Sequence, residues 1–274
     1  MTCVHRKRQR LPARAAGAMA AGILVVGTLA AAAPPARAAD SGAEARSVLK
    51  SMATYLEHQK TIEFTFDSSI EVITPTIEKI QYTSSGQAFV DRPDKLRVQR
   101  RGGTGELDLY FDGKSATLYG PGIKTYARIP GLHSIDQLID ALERQYGFAG
   151  PGADLLLSNA YQALTANVQS ARYLGVGVVG GVTCDHVAFR NKETDWQVWV
   201  QIGPQAIPRK YVIISKTLAA APEYSVVIRD WKTGMTIKPA SFAFKPPADA
   251  KRGTVGDLSG LDEYPHALPS GGYK

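Results

Sequence analysis

The sequence predicts a mainly β protein with helices, an α+β chain built on a large antiparallel sheet. Three observations carry this. Apolar and polar residues alternate through two long stretches, about 61–130 and 171–231, as they do in half-buried strands. Short turn signals join the strands within each stretch, which makes meanders rather than βαβ units. Three segments repeat apolar residues at helical spacing instead, one before the first meander and two between the meanders. The order is helix, sheet, two helices, sheet and tail, with greasy helices closing the apolar face of the sheet.

The first 38 residues read as an address. A basic head, "MTCVHRKRQRLPAR", precedes the apolar run "AAGAMAAGILVVGTLAAAA" and the small-x-small pattern Ala36-Arg37-Ala38. This is the layout of a secretory signal peptide, with cleavage expected after Ala38. Retention of the run as an anchor is the alternative. No adjacent arginine pair lies in the head, which favours ordinary secretion into the periplasm. Of the 32 Lys and Arg residues, six lie in this leader; the remaining 26 face 25 acids, a net charge near +1. Nucleic acid as a partner loses its main support, because phosphate binding needs a basic face. After cleavage no second run is long and apolar enough to span a membrane.

The mature chain opens with Ser41 as a candidate N-cap and Glu44 three residues on, a capping box. Ala45, Val48, Leu49, Met52 and Leu56 predict a helix over 42–58. "TIEFTFDSSIEVI", "KIQYTSSGQAFVDRP" and "DKLRVQRRG" alternate as strands. Turns at Asp112-Gly113 and Gly120-Pro121-Gly122 cut the next stretch into three short strands. Ser134, with Gln137, starts a helix to Tyr146 whose stripe of Ile135, Leu138, Ile139 and Leu142 faces the sheet as a lid or plug. A second helix is expected over "PGADLLLSNAYQALTANV", apolar around much of its circumference. Strands resume to Trp231, broken at Gly180-Gly181, 191–194, Gly203-Pro204 and 219–222. The domain is expected to span 39–250, and residues 251–274, rich in Gly, Pro and Ser towards the end, to form a loose tail.

Cys184 is the sole cysteine expected in the mature chain, and His186 lies two residues on. In a strand the two share a face, about 7 Å apart. That is long for a nucleophile and its base, and a structural zinc site needs four ligands. The reading is a buried thiol beside a hydrogen-bonded histidine, with no catalytic residues, no metal and no cofactor. The chain contains no G-x-S-x-G, H-E-x-x-H or Walker-type loop. "YLGVGVVGG" matches a dinucleotide fingerprint only weakly, since no helix follows it. An enzyme is therefore not expected.

Several words resemble a family of predicted periplasmic proteins, a domain of unknown function with the fold of the outer-membrane lipoprotein carriers. They are "FDGKSATLYGPGIKTYARIP", "PGADLLL", "RYLGVGVVGGVTCDHVAFR", "DWQVWVQIG" and "IPRKYVIISK", within about 43–251. The resemblance implies a large curved antiparallel sheet, an unclosed barrel whose concave face is plugged by helices. It further implies a non-enzymatic binding protein, a carrier or chaperone for a lipid, a lipoprotein acyl chain or another hydrophobic ligand.

Strand alternation supplies the candidate wall of such a cavity: Phe64, Phe66, Tyr82, Phe89, Leu96, Val98, Leu107 and Leu109, with Ile135, Leu138 and Leu142 opposite. The alternative is a structural or partner-binding envelope protein whose core is filled by its own side chains, with Trp199, Tyr264 or Tyr273 docking another envelope protein.

Overall fold

The computed structural model describes residues 41–102, 105–148 and 150–261. The expected leader lies outside the described residues, as do Tyr264 and Tyr273. The chain begins with α1 (Ser41–Glu57) and a six-stranded meander, β1 (Thr61–Ile73), β2 (Lys79–Asp91), β3 (Lys95–Gly102), β4 (Gly105–Phe111), β5 (Ser115–Gly120) and β6 (Thr125–Pro130). Helices α2 (Ile135–Asp140) and α3 (Ala160–Thr165) follow. The second meander is β7 (Ser170–Val179), β8 (Val182–Arg190), β9 (Thr194–Gln201), β10 (Pro208–Ser215) and β11 (Glu223–Thr233), and a short β12 (Lys251–Arg252) ends the sheet.

All twelve strands form one sheet, in the order β12-β6-β5-β4-β3-β2-β1-β11-β10-β9-β8-β7. The outermost strands, β12 and β7, do not pair with each other, so the sheet is not closed into a barrel. The two meanders run outward from a central seam where β1 pairs β11 antiparallel. Only the terminal pair, β12 on β6, is parallel. The expected turns fall between strands or at strand ends, as they must if Gly and Pro punctuate a meander.

The helices cover one face and divide the core in two. Under α1, Leu49, Met52 and Leu56 meet Val187, Phe189, Trp196, Val198 and Tyr211. Under α2, Ile135, Leu138 and Ile139 meet Val90, Leu96, Phe111, Leu118 and Ile129. Phe64 and Trp231 pack against both clusters, their rings stacked at 5.4 Å.

Several local expectations are corrected. Ser41 does not cap α1 through its side chain: its hydroxyl bridges the backbone of Tyr173, accepting from the N–H at 2.9 Å and donating to the carbonyl at 3.2 Å. The helix starting at Ser134 is capped as expected, with Ser134 Oγ accepting from the Gln137 N–H. After Asp140, however, it widens into a π-type turn over Ala141–Gln145. The second plug is two short pieces, a 3₁₀ turn over Ala153–Leu156 and then α3. It breaks because Leu157 is extended, and the Ser158 N–H is held by Asp136 Oδ1 at 3.0 Å instead of a helical carbonyl. The segment from Lys251 is not loose as far as Leu261. It adds β12 and buries Val255 and Leu258 in the core under α2.

Candidate functional site

A cavity opens between the two core clusters, over the central strands. Its volume is about 190 Å³, within a larger and partly open space of about 1270 Å³. For scale, an apolar cavity of about 150 Å³ stays dry and accepts benzene. The sheet contributes Phe64, Phe66, Leu96, Val98, Leu107 and Leu109, all from the expected wall. Leu138, Ile139 and Leu142 form the opposing side, with Phe148 and the 150–156 segment.

Register explains this convergence. Phe64 pairs Ala88, Ala88 pairs Val98, and Val98 pairs Leu109. Directly opposed residues point to the same face of a sheet, so one row crosses four strands to build the wall. Phe66 lies in the next row, opposite Gly86. A Cβ at Gly86 would stand 2.2 Å from Phe66 Cζ and 2.5 Å from the Gln99 carbonyl. Glycine is thus what lets the Phe66 ring lie across β2.

Three expected wall residues lie elsewhere. Phe89 points to the opposite face, because its neighbours Ala88 and Val90 point inward; it lies beneath the Arg97 guanidinium, 5.7 Å from its ring centroid. Tyr82 is on the helix-covered face, opposite Ile70, and packs on the α1 cluster rather than lining the cavity. Ile135, the first residue of α2, is buried in the core beneath that helix's inner face and also does not line the cavity.

Other lining residues were not singled out from the sequence. Tyr224, Val226 and Ile228 come from β11, whose position beside β1 is a long-range pairing. Trp231 breaks their alternation. The reason is a bulge: Asp230 takes a left-handed conformation, φ 47°, and the register slips between Glu63 and Thr65. Asp tolerates this conformation better than most residues. Its Oδ2 accepts from Thr65 Oγ1 at 2.6 Å, and the shift turns Trp231 inward onto Phe64. Leu56 of α1 and Leu155 and Leu156 of the 3₁₀ turn complete the apolar lining.

Two charged side chains reach this lining among the described residues, Arg100 and Glu143. Arg100, only 4 % exposed, donates to Ser84 Oγ at 3.1 Å and to the Leu261 carbonyl. Glu143 is exposed on the π-type turn, where partial burial raises its pKa against the opposing pull of Arg144. Behind the plug, burial raises the Asp154 pKa to about 6, although Tyr211 donates to its Oδ2 at 3.1 Å. Asp154 Oδ1 is buried without a hydrogen-bond partner.

The Cys184 region is not part of this cavity. Cys184 is fully buried, and burial pushes its thiol pKa up. His186 stacks on Trp199, with centroids 3.9 Å apart, and its Nε2 lies 2.9 Å from Gln197 Oε1. Lys210 lies 5.1 Å above the same indole. Trp196, on the other face, packs in the α1 core against Phe189 and Tyr211. The arrangement is aromatic packing on both faces of one strand pair.

Comparison with known proteins gives one family and a set of distant folds. The family described as "Predicted periplasmic protein (DUF2092)" matches residues 45–255. No curated protein matches the sequence. Among solved structures, an uncharacterised conserved protein from Thermus thermophilus is 11% identical with a TM-score of 0.46, over 77% of this chain and 99% of that one. The lipoprotein LppX of Mycobacterium tuberculosis is 9% identical with a TM-score of 0.38, over 72% and 100%. A LolA superfamily protein from Nitrosomonas europaea is 11% identical with a TM-score of 0.34, over 73% and 97%.

Proposed function

The chain belongs to the DUF2092 family of predicted periplasmic proteins, and from that premise we propose that it is a non-enzymatic carrier or chaperone for a hydrophobic ligand. The ligand is a lipid or lipoprotein acyl chain held between the sheet and the α2 plug. The observation that carries this reading is the cavity between the two core clusters, walled by Phe64, Phe66, Val98, Leu109, Leu138 and Trp231. A protein that merely fills its core packs such side chains against one another. Here Phe64 and Trp231 do stack on one another, but together with the others they also border open space. Acyl chains demand shape and apolar wall rather than a polar signature, which suits a lining whose charged side chains are Arg100 and Glu143. The wall residues named from the sequence, Phe64, Phe66, Leu96, Val98, Leu107, Leu109, Leu138 and Leu142, are proposed as ligand contacts. The expected periplasmic location brings the protein close to such cargo.

Mass spectrometry of an organic extract of the protein, purified from its own periplasm, tests this reading. A co-purified acyl lipid at near-stoichiometric amount is the expected result. An extract free of lipid, from protein that also takes up none in solution, would support the structural reading in its place.

A further inference from the structure

The sheet is open, and its two edges are unlike. At one end β12 offers two residues, Lys251 and Arg252, both exposed. At the other β7 offers ten, and no described strand pairs its outer side. A long edge with free backbone groups is a template for pairing, which proteins blunt with lysine, proline, bulges or cover. The first half of β7 is blunted in this way. Ser41 Oγ occupies the N–H and the carbonyl of Tyr173, and the register slips between Tyr173 and Gly175. The second half, Gly175 to Val179, has no charge and no proline. It ends at the two-residue turn Gly180-Gly181, both left-handed, which makes Val179 and Val182 the hydrogen-bonded closing pair of the hairpin. Bonded and non-bonded pairs then alternate along the ladder, so Val178 and Val176 turn their N–H and C=O to the open edge. Their side chains are 68 % and 62 % exposed.

Those side chains continue the core face past its cover. Val176 pairs Asp185, which pairs Val200, buried in the α1 cluster. Val178 pairs Thr183, whose carbonyl accepts from the N–H of the exposed Ile202. The stretch Gly-Val-Gly-Val-Val is also self-complementary. In an antiparallel copy turned about a two-fold axis at Gly177, each Val176 meets the other copy's Val178, and glycine meets glycine. We propose that β7 is a homodimer edge, joining two copies of the sheet through Gly175 to Val179. Each Val176 and Val178 then exchanges its free N–H and C=O with a residue whose own groups are equally free. The apolar rows of the two copies merge on the α1 side, where water now covers them. A second copy is favoured over head-to-tail addition because β12 is too short and too basic to dock on β7. The two-fold contact uses the same edge twice, so assembly stops at two. The contact is small, and its dissociation constant should be on the order of 10–100 µM. The inference is independent of the carrier reading.

The test is sedimentation velocity of the protein in detergent-free buffer, from about 1 to about 300 µM. The wild type should pass from monomer to dimer over that range. Val178→Lys places a charge on the edge and should weaken the dimer by about tenfold or more. Val176→Pro removes an N–H that the monomer's own ladder does not use, so the fold should stand while the dimer is lost. Ile77→Lys, at an equally exposed apolar residue in the turn between β1 and β2, should leave association unchanged. Hydrogen exchange of the wild type at both ends of the range needs no variant to fold: the Val176 and Val178 amides should be protected only at the high concentration. A wild type that stays monomeric throughout overturns the proposal, as does a dimer undiminished by both edge variants or a species that grows beyond two. A monomer that instead co-sediments with phospholipid vesicles, and loses this with Val178→Lys, overturns it in favour of a membrane contact at the same edge.

Discussion

Replacing Asp154 by Asn should stabilise the protein at neutral pH, and the gain should vanish in acid. The carboxylate sits behind the 3₁₀ turn that walls the cavity, held by Tyr211, with one oxygen unpartnered. Burial raises its pKa from 3.8 to about 6. A carboxylate whose pKa is raised on folding favours the folded state only while protonated, so stability falls as pH rises from the unfolded pKa through the folded one. The shift corresponds to an upper bound of about 3 kcal/mol above pH 7, falling to near zero at pH 3, with most of the change between pH 4 and 6. Asn stays neutral throughout and retains a carbonyl to accept from Tyr211. Urea unfolding of both proteins from pH 3 to pH 8 checks this. The variant should gain about 2–3 kcal/mol at pH 8 and nothing at pH 3. A variant less stable than wild type at pH 8 would refute the assignment of a costly buried charge and point instead to an ion-dependent latch on the plug.

Further outcomes follow from packing at Cys184, Gly86 and Gly122. Cys184, fully buried with its thiol pKa pushed up, should react with a thiol reagent only on unfolding, and Cys184→Ala should cost about 1 kcal/mol in denaturant unfolding; rapid labelling of the native protein would contradict this. Gly86→Ala should cost about 1–3 kcal/mol in thermal or urea unfolding, because the new methyl collides with the Phe66 ring and the Gln99 carbonyl. Gly122→Ala, with nothing within 4 Å of the added carbon, should be close to neutral by the same measurement.

Local chemistry made much of this fold legible. Strict alternation and Gly, Pro and Asn-rich breaks located the strands of both meanders, since period 2 and turn chemistry are properties of neighbouring residues. The apolar stripe starting at Ile135 likewise placed Leu138 of α2 and Leu142 of the π-type turn against the sheet. The remainder depended on distant or irregular features. The pairing of β1 with β11 joins residues about 160 positions apart, so nothing beside Phe64 in the sequence points to Trp231 as its stacking partner. The bulge at Asp230 then reverses the parity that would have put Trp231 outside. The sequence reading puts Phe89 on the wall by strand alternation, but Ala88 and Val90 beside it occupy the inward positions, so Phe89 faces the other way. Ser158 ended the plug helix through a contact with Asp136, 22 residues away. The segment from Lys251 to Leu261 carries weak local signals, yet Leu258 is fully buried because the face under α2 still needed cover.

The central claim is that the space between the two core clusters receives an acyl chain. Titration of the protein with a neutral, environment-sensitive fluorophore on a twelve-carbon chain, at low and at high salt, tests it most directly. About ten buried methylenes contribute near 8 kcal/mol before ordering costs, which sets about micromolar as the tightest binding expected. The account predicts saturable uptake of one chain per protein at about micromolar affinity, nearly the same at both salt concentrations, since the wall is mostly uncharged. The absence of saturable uptake, or uptake abolished by salt, would contradict it.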